Sequence, residues 1–261
     1  MRLELLYNLR LFCERLAEIS LQRRRMVKLR GTVAGNLTPG HVDSLELLEL
    51  LRPLSPKVIY DVGANTGTWT QLAKAIFPDA EVHAFEPLKS HHTALLEKFT
   101  AMSNAHLHKV ALGETSGTAT MRVTNFPDSS SLLPLSPAGQ KEWKLEEVAK
   151  EAVTVARMDD YRRETQISFP SLIKLDVQGF ELAVLRGAQE CLGQATAVLA
   201  EVSFQEFYKG QCLFHDVVTF LSGHGFGAYA LGHGTVIDRP ILQTDVLFLK
   251  PGKIPGGCVN K

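Results

Sequence analysis

From Lys57 onward, short apolar segments alternate with segments of helical periodicity. Val58–Val62 is an apolar run that ends at Gly63, and residues 66–77 then carry apolar side chains at helical spacing. The same alternation predicts strands at 81–85, 106–112, 171–177 and 197–202, and helices at 90–102, 180–192 and 214–221. Repeated strand–helix units indicate an α/β fold, a mainly parallel sheet with helices on both faces.

The alternation breaks in the middle of the chain. Residues 118–124 and 152–158 resemble extra strands. Between them, 125–136 is rich in serine and proline, which is typical of an irregular surface loop. A charged helix is predicted near 141–150. Toward the C-terminus, 226–231 is predicted to form a closing antiparallel pair with 245–249.

The chain has no net charge, but its charges are unevenly distributed. Residues 1–30 hold eight basic and three acidic side chains, so a +5 arm precedes a −5 body. The arm is predicted to be one amphipathic helix, with apolar residues at helical spacing: Leu5, Leu9, Phe12, Leu16 and Ile19. Two roles stay open. The helix packs on the body or on a second subunit of a homo-oligomer, or it is attracted to an anionic acceptor or membrane surface.

Composition also limits the compartment and the partners. The neutral total argues against general nucleic-acid binding, which requires a basic face. No apolar run of about 18 residues and no secretory signal is found, so a cytoplasmic protein is expected. The four cysteines are scattered without a CxxC pair, which predicts neither a zinc site nor a disulfide framework. The pair His91 and His92 is expected to be exposed or to cap its helix.

Two strand ends carry residues suited to a ligand, and ligands of open α/β sheets bind beyond the carboxyl ends of the strands. In the stretch from Asp61 to Gly67, Gly63 allows a tight turn and close approach of a ligand to the backbone. Glu86 directly follows the predicted strand 81–85, where a carboxylate can accept both hydroxyls of a ribose. Together the two motifs indicate a ribose-containing ligand.

The glycine pattern discriminates among such ligands. A dinucleotide fold prefers G-x-G-x-x-G, but Asn65 occupies the middle glycine position. No P-loop motif is present. S-adenosylmethionine combines a ribose, a carboxylate and a cationic centre without a phosphate. Negative potential from Asp61 and Glu86 would favour its cationic end.

A third strand end carries a lysine and two carboxylates. Strand alternation puts Lys174 and Asp176 on one face, and Glu201 follows on the next strand. A lysine in an apolar strand is costly unless it is paired. Two interpretations remain: a catalytic cluster at the acceptor site, or a structural salt bridge that tethers the loop at Gly179. In the first, Asp176 is the candidate general base and Glu201 its positioner or partner. Paired carboxylates are compatible with a divalent cation, but no signature indicates a metal.

The sequence resembles the FkbM-type family of S-adenosylmethionine-dependent methyltransferases over residues 57–250. Five blocks carry the resemblance: 61–67, 85–87, 110–114, 173–181 and 185–188. One departure is Gln178, where the family often has glutamate, so the charge beside the site differs. The resemblance implies a class I methyltransferase fold, Rossmann-like, with a seven-stranded sheet whose last strand is antiparallel.

The resemblance also implies roles for single residues in cofactor binding. The methionine part would be lined by Asp61, Gly63, Asn65 and Gly67. Glu86 would hold the ribose hydroxyls. Ala111 and Leu112 would lie near the adenine, and Ser130 and Ser131 would approach the cofactor from the irregular loop.

These expectations divide the chain into an N-terminal helical extension or cap (1–56), a methyltransferase domain (57–250) and a flexible tail (251–261). The implied function is O-methylation of a hydroxyl on a small molecule or glycan. A non-catalytic module that keeps the cofactor fold is one alternative, which loss of Asp176 or Glu201 would have favoured. An NAD-type oxidoreductase is another, disfavoured by the pattern at Asn65.

Overall fold

The computed structural model describes residues 2–232, 235–236 and 241–252. The helices are α1 (Arg2–Leu29), α2 (Leu45–Leu50), α3 (Thr68–Ile76), α4 (Lys89–Phe99), α5 (Pro137–Glu142), α6 (Met158–Thr165), α7 (Glu181–Arg186), α8 (Gln189–Gln194) and α9 (Phe214–Gly223). The strands are β1 (Val58–Val62), β2 (Glu81–Phe85), β3 (Ala105–His108), β4 (Ala111–Gly113), β5 (Gly117–Thr124), β6 (Glu147–Arg157), β7 (Leu172–Leu175), β8 (Ala197–Ser203), β9 (Gly227–Leu231), β10 (Thr235–Val236) and β11 (Ile241–Leu249).

The main sheet is mainly parallel, as the alternation predicts. Its strand order is β3-β2-β1-β7-β8-β11, and both β9 and the two-residue β10 pair with the outer edge of β11. β11 runs antiparallel to β8 and to β9, so the predicted closing pair is confirmed. The order proceeds from β1 in two directions, toward β2 and toward β7. The crevice above β1 is therefore a topological switch point, where open sheets bind ligands.

The middle of the chain differs most from the predicted arrangement. The predicted strand 106–112 is two strands, because β3 ends in the main sheet and β4 joins a separate sheet of order β4-β6-β5. The predicted helix near 141–150 is wrong: α5 ends at Glu142, and β6 begins at Glu147. β6 pairs antiparallel with the whole of β5, and this tertiary pairing overrides the local helical propensity.

Two apolar clusters cover the two faces of the main sheet. On β1, Tyr60 and Val62 point into the cluster that includes α7, α8 and α9, whereas Ile59 points into the cluster that includes α2 and α3. Side chains alternate along a strand, so Asp61 shares the face of Ile59. The register of the sheet therefore directs a carboxylate toward α3.

The N-terminal extension joins the core on that same face. The predicted arm helix is confirmed as α1. Leu29 at its end and the buried leucines of α2 pack in one cluster with Ile59 and Leu72. No helix in the described part of the chain is long and apolar enough to cross a bilayer. The limits of the three predicted segments stay predictions, and residues 253–261 of the predicted tail lie outside the described residues.

Candidate active site

A cavity opens at the carboxyl edge of the sheet, above β1, β2 and β7. Its volume is about 650 Å³, within the range of small-molecule sites. Nine of the twelve predicted site residues line it: Gly63, Asn65, Glu86, Ala111, Leu112, Ser130, Lys174, Asp176 and Glu201. The other three, Asp61, Gly67 and Ser131, are buried and are not among the lining residues. Among the described residues, no group of three or more His, Cys, Asp or Glu side chains is placed to hold a metal ion.

The turn after β1 forms one wall of the cavity. Gly63 has a φ of +80°, and a Cβ added there would stand 1.9 Å from the carbonyl oxygen of Asp176, so only glycine fits. Gly67, with a φ of +78°, is the N-cap residue of α3 and supports the turn from behind. The helix has no side-chain cap. Its first N–H groups and the positive end of its dipole are therefore free to favour an anionic group.

Glu86 is buried at the end of β2 and is held by two backbone donors. Its Oε2 accepts from the Asn65 N–H at 2.8 Å, and its Oε1 accepts from the Leu88 N–H at 2.8 Å. Each carboxylate oxygen keeps a second lone pair. Because the carboxylate lines the cavity, this geometry suits the two neighbouring hydroxyls of a ribose.

Asp61 and Lys174 form a buried ion pair, of which Lys174 lines the cavity. They are register partners on β1 and β7, and Lys174 Nζ lies 3.4 Å from Asp61 Oδ1 and 3.5 Å from Asp176 Oδ2. The Thr70 hydroxyl donates to Asp61 Oδ2 at 2.6 Å. Burial alone would lower the pKa of Lys174, but Asp176 and Asp61 outweigh it and raise that pKa. Lys174 therefore stays charged beside Asp176.

Gln178 bridges the two predicted catalytic carboxylates. Its Nε2 donates to Asp176 Oδ1 at 2.8 Å and to Glu201 Oε2 at 3.2 Å. The Tyr208 hydroxyl lies 2.9 Å from Gln178 Oε1, which fixes the orientation of the amide. Burial, with the charge of Asp176, raises the pKa of Glu201 well above its usual value. The two carboxylates thus differ in their surroundings: Asp176 lies beside the Lys174 ammonium, whereas burial favours the neutral form of Glu201.

The irregular loop after β5 closes another side of the cavity. Ser130 lines it, while the buried Ser131 donates to the carbonyl oxygen of Gln178 at 2.7 Å. Ser131 therefore ties the loop to the turn after β7. Ala111 and Leu112 line the cavity from β4, in the second sheet.

The N-terminal extension supplies a further wall that the site predictions missed. Asp43 and Ser44 line the cavity just before α2. Arg25 of α1 is 2% exposed and donates to Asp43 Oδ1 at 2.9 Å and to Glu46 Oε2 at 2.7 Å. Ser44 Oγ donates to Asp245 Oδ2 at 2.6 Å. Side-chain contacts on both sides therefore hold this wall in place.

The site predictions missed two further cavity residues, His91 and Trp69, because each lies a few positions after a strand-end motif. His91 and His92 are buried, so the expectation of an exposed or capping pair is wrong. His91 lines the cavity, and its Nδ1 lies 3.4 Å from Glu86 Oε1 without a hydrogen bond among the described residues. Trp69 also lines the cavity, and its buried Nε1 has no partner in the same part of the chain. Both lie in the first turn of a helix that follows a strand-end motif. A ligand with hydroxyls and a carboxylate fits these unpaired groups.

Fold and site together define the class of protein. In the mainly parallel sheet the strand order reverses at β1, and β11 pairs antiparallel with β8. This is the architecture of a class I methyltransferase. The glycine turn after β1 and the carboxylate after β2 stand at its ligand edge. The family model of the methyltransferase FkbM domain matches residues 61–227. The chain belongs to this methyltransferase family.

Individual relatives agree with this assignment. The chain is 29% identical over 202 residues to 31-O-demethyl-FK506 methyltransferase FkbM of Streptomyces tacrolimicus, covering 66% of this chain and 74% of that protein. It is 27% identical over 162 residues to methyltransferase sdnD of Sordaria araneosa, covering 53% and 62%. A crystal structure of methyltransferase FkbM from Methylobacillus flagellatus KT superposes with a TM-score of 0.50 at 17% identity, over 74% of this chain and 44% of that chain. At that identity the superposition shows the fold alone, and the matched part of this chain spans less than half of the solved chain.

Proposed function

We propose that the protein is an S-adenosylmethionine-dependent O-methyltransferase that acts on a hydroxyl of a small molecule or glycan. The observation that carries the proposal is the Glu86 carboxylate, which two backbone donors hold at the cavity wall beside the turn of Gly63. A carboxylate placed so can accept from two ribose hydroxyls. Membership of the FkbM methyltransferase family supports the same cofactor.

The residues near the cofactor provide binding and orientation. Glu86 holds the ribose, the first N–H groups of α3 favour the amino-acid carboxylate, and Trp69 Nε1 offers a further donor. Ala111 and Leu112 give the apolar surface that an adenine ring requires. When bound, the cofactor's sulfonium supplies the methyl group and accepts the electron pair of the breaking S–C bond.

The residues near the acceptor handle one proton. An attacking hydroxyl forms the new O–C bond and loses its proton, which Asp176 accepts. The Lys174 ammonium lies 3.5 Å from Asp176 and offsets the negative charge of its carboxylate. Glu201, whose neutral form is favoured by burial, lines the cavity as well and can contact an oxygen of the acceptor. Since the cofactor carries its own leaving group, alignment by the cavity walls provides most of the remaining catalysis.

The acceptor class rests on family membership and on one named relative. That relative's name describes methylation of an oxygen of a demethylated FK506. The wall formed by Asp43 and Ser44 is contributed from outside the predicted methyltransferase domain, so we assign acceptor selection to it.

Calorimetric titration tests the cofactor. S-adenosylhomocysteine should bind with a stoichiometry of one, and NAD should not bind. Absence of S-adenosylhomocysteine binding would contradict the proposal, and binding of NAD alone would favour the oxidoreductase alternative.

Methyl transfer is tested with methyl-labelled cofactor and fractionated metabolite and glycan extracts. The expected result is label on a product heavier by one methylene, through a bond that resists alkaline ester hydrolysis. Cofactor binding without transfer to any fraction would favour the non-catalytic module. Label that hydrolyses as an ester would overturn O-methylation of a hydroxyl.

A further inference from the structure

The first part of α1 projects from the body of the protein. Every described side chain from Phe12 to Ser20 is exposed, and Arg25 is the first buried residue among the described side chains of the helix. With a rise of about 1.5 Å per residue, Phe12 stands about 20 Å beyond Arg25 along the helix axis. This part of α1 therefore offers its surface to something other than the core.

One side of this projecting helix is apolar. Phe12, Leu16 and Ile19 are 57%, 49% and 63% exposed, and their spacing places them on one face. Val27, which is half-exposed, continues that face toward the body. Because Val27 lies two positions, about half a turn, after the buried Arg25, the apolar face points away from the body. Among the described residues, none of the core therefore covers this face.

The same helix presents arginines for which the described part of the chain supplies no ion-pair partner. Arg15, Arg23 and Arg24 are exposed, and none of them forms an ion pair within the described part of the chain. Arg25 and Lys28, in contrast, are paired with acidic residues on or just before α2. An exposed apolar stripe among unpaired arginines is the pattern of a helix that lies in a membrane interface.

The positive charge of the helix indicates what kind of partner binds this surface. Residues 1–30 carry a formal charge of +5, so two such arms laid side by side would repel each other. An anionic bilayer attracts the same charges and also accepts the apolar stripe among its acyl chains.

We propose that α1 docks the protein on the surface of an anionic lipid bilayer. Phe12, Leu16 and Ile19 insert at the boundary of headgroups and acyl chains, and the free arginines contact the anionic headgroups. Arg25 belongs to the same helix and also holds the Asp43 wall of the cavity. Docking therefore places the acceptor side of the active site close to the bilayer.

Sedimentation with vesicles tests the proposal on the full chain. Phosphatidylcholine vesicles are compared with vesicles of equal parts phosphatidylcholine and phosphatidylserine. Wild-type protein should partition onto the anionic vesicles only, and binding should weaken as salt increases. Replacing Arg15, Arg23 and Arg24 together by glutamine should lower the partition coefficient about a hundredfold, since each cation near such a surface contributes separately.

A matched pair of variants isolates the apolar stripe. Leu16→Glu and Ala17→Glu introduce the same charge at neighbouring exposed positions, but only Leu16 belongs to the stripe. Leu16→Glu should lower the partition coefficient about tenfold more than Ala17→Glu, because insertion buries a leucine side chain. Circular dichroism and S-adenosylhomocysteine binding should match wild type in both variants, which lie outside the cavity.

Three results would overturn the proposal. Wild-type protein could sediment equally with both vesicle types or with neither. The two glutamate variants could bind alike. Light scattering could also show a wild-type dimer that Leu16→Glu dissociates while vesicle binding is absent, in which case the stripe is a contact between two copies of the chain.

Discussion

The substitution Glu86→Gln probes the ribose assignment most directly. Glutamine keeps the shape of the side chain and one acceptor oxygen, but it replaces the other oxygen with an amide N–H₂. In the folded protein both Glu86 oxygens accept from backbone N–H groups, at Asn65 and Leu88. The amide nitrogen must therefore face a donor, and one ribose hydroxyl loses its acceptor.

The expected loss of cofactor affinity follows from these contacts. A hydrogen bond to a charged group contributes about 1.5–3 kcal/mol, and the one that remains is weaker without the charge. The expected loss of binding free energy is about 2–4 kcal/mol, or about 30- to 1000-fold in the dissociation constant of S-adenosylhomocysteine. The unpaired backbone N–H should also lower the free energy of unfolding by about 1–3 kcal/mol.

Calorimetry measures the affinity, and chemical denaturation measures the stability. Glu81→Gln is the matched control, because Glu81 begins the same strand at the edge away from the cavity. The control should bind S-adenosylhomocysteine like wild type. If Glu86→Gln also binds like wild type while remaining folded, the ribose assignment is refuted.

Other perturbations test the base, the turn and the histidine pair His83 and His108 of the main sheet. Asp176→Asn removes the proton acceptor and should lower turnover with an identified acceptor about 10²–10⁴-fold, with little change in S-adenosylhomocysteine affinity; unchanged turnover would exclude Asp176 as the base. Gly63→Ala places a Cβ 1.9 Å from a backbone oxygen at a φ of +80°. Thermal denaturation should therefore show that the free energy of unfolding falls by at least about 2 kcal/mol. Gly193→Ala, with nothing within 4 Å of its Cβ, should change stability by less than about 1 kcal/mol, and equal losses in the two variants would contradict the steric argument. Burial lowers the pKa of both His83 and His108 to about 4, and their ring nitrogens lie 2.9 Å apart. Both rings are therefore neutral in the folded protein, whereas the unfolded chain binds two protons below about pH 6.5. The free energy of unfolding should fall as the pH drops from about 6.5 toward 4, by up to about 2.7 kcal/mol per pH unit, and replacing both histidines by glutamine should remove that slope.

Local sequence predicted the main sheet because each strand is a short apolar run between clear breaks. The predicted strand at 81–85 matches β2 at both ends, and the predicted helix over 214–221 lies inside α9. The second sheet was harder to predict. Glu147 and Lys150 are charged, and 147–150 form a strand because β5, more than twenty positions earlier, pairs with them. No local window contains that partner.

The candidate site was predictable where a residue directly ends a strand. Glu86 and Asp176 follow β2 and β7, so parallel strand direction alone brings them to one edge. Asp43 and Ser44 could not be predicted in this way. They reach the cavity because the segment before α2 folds back over the sheet, held by Arg25 and Asp245. Such a return depends on contacts that are distant in sequence.

Gln178, which stands where the family often has glutamate, affects the two carboxylates that are candidates for proton transfer. Its amide gives one N–H to Asp176 and one to Glu201, while the Tyr208 hydroxyl lies beside the amide oxygen. A glutamate at this position would put a third carboxylate within hydrogen-bond distance of the other two and would repel both. With the neutral amide, Lys174 has only Asp61 and Asp176 within ion-pair distance among the described residues. The glutamine therefore adds no further negative charge beside Asp176, the candidate general base.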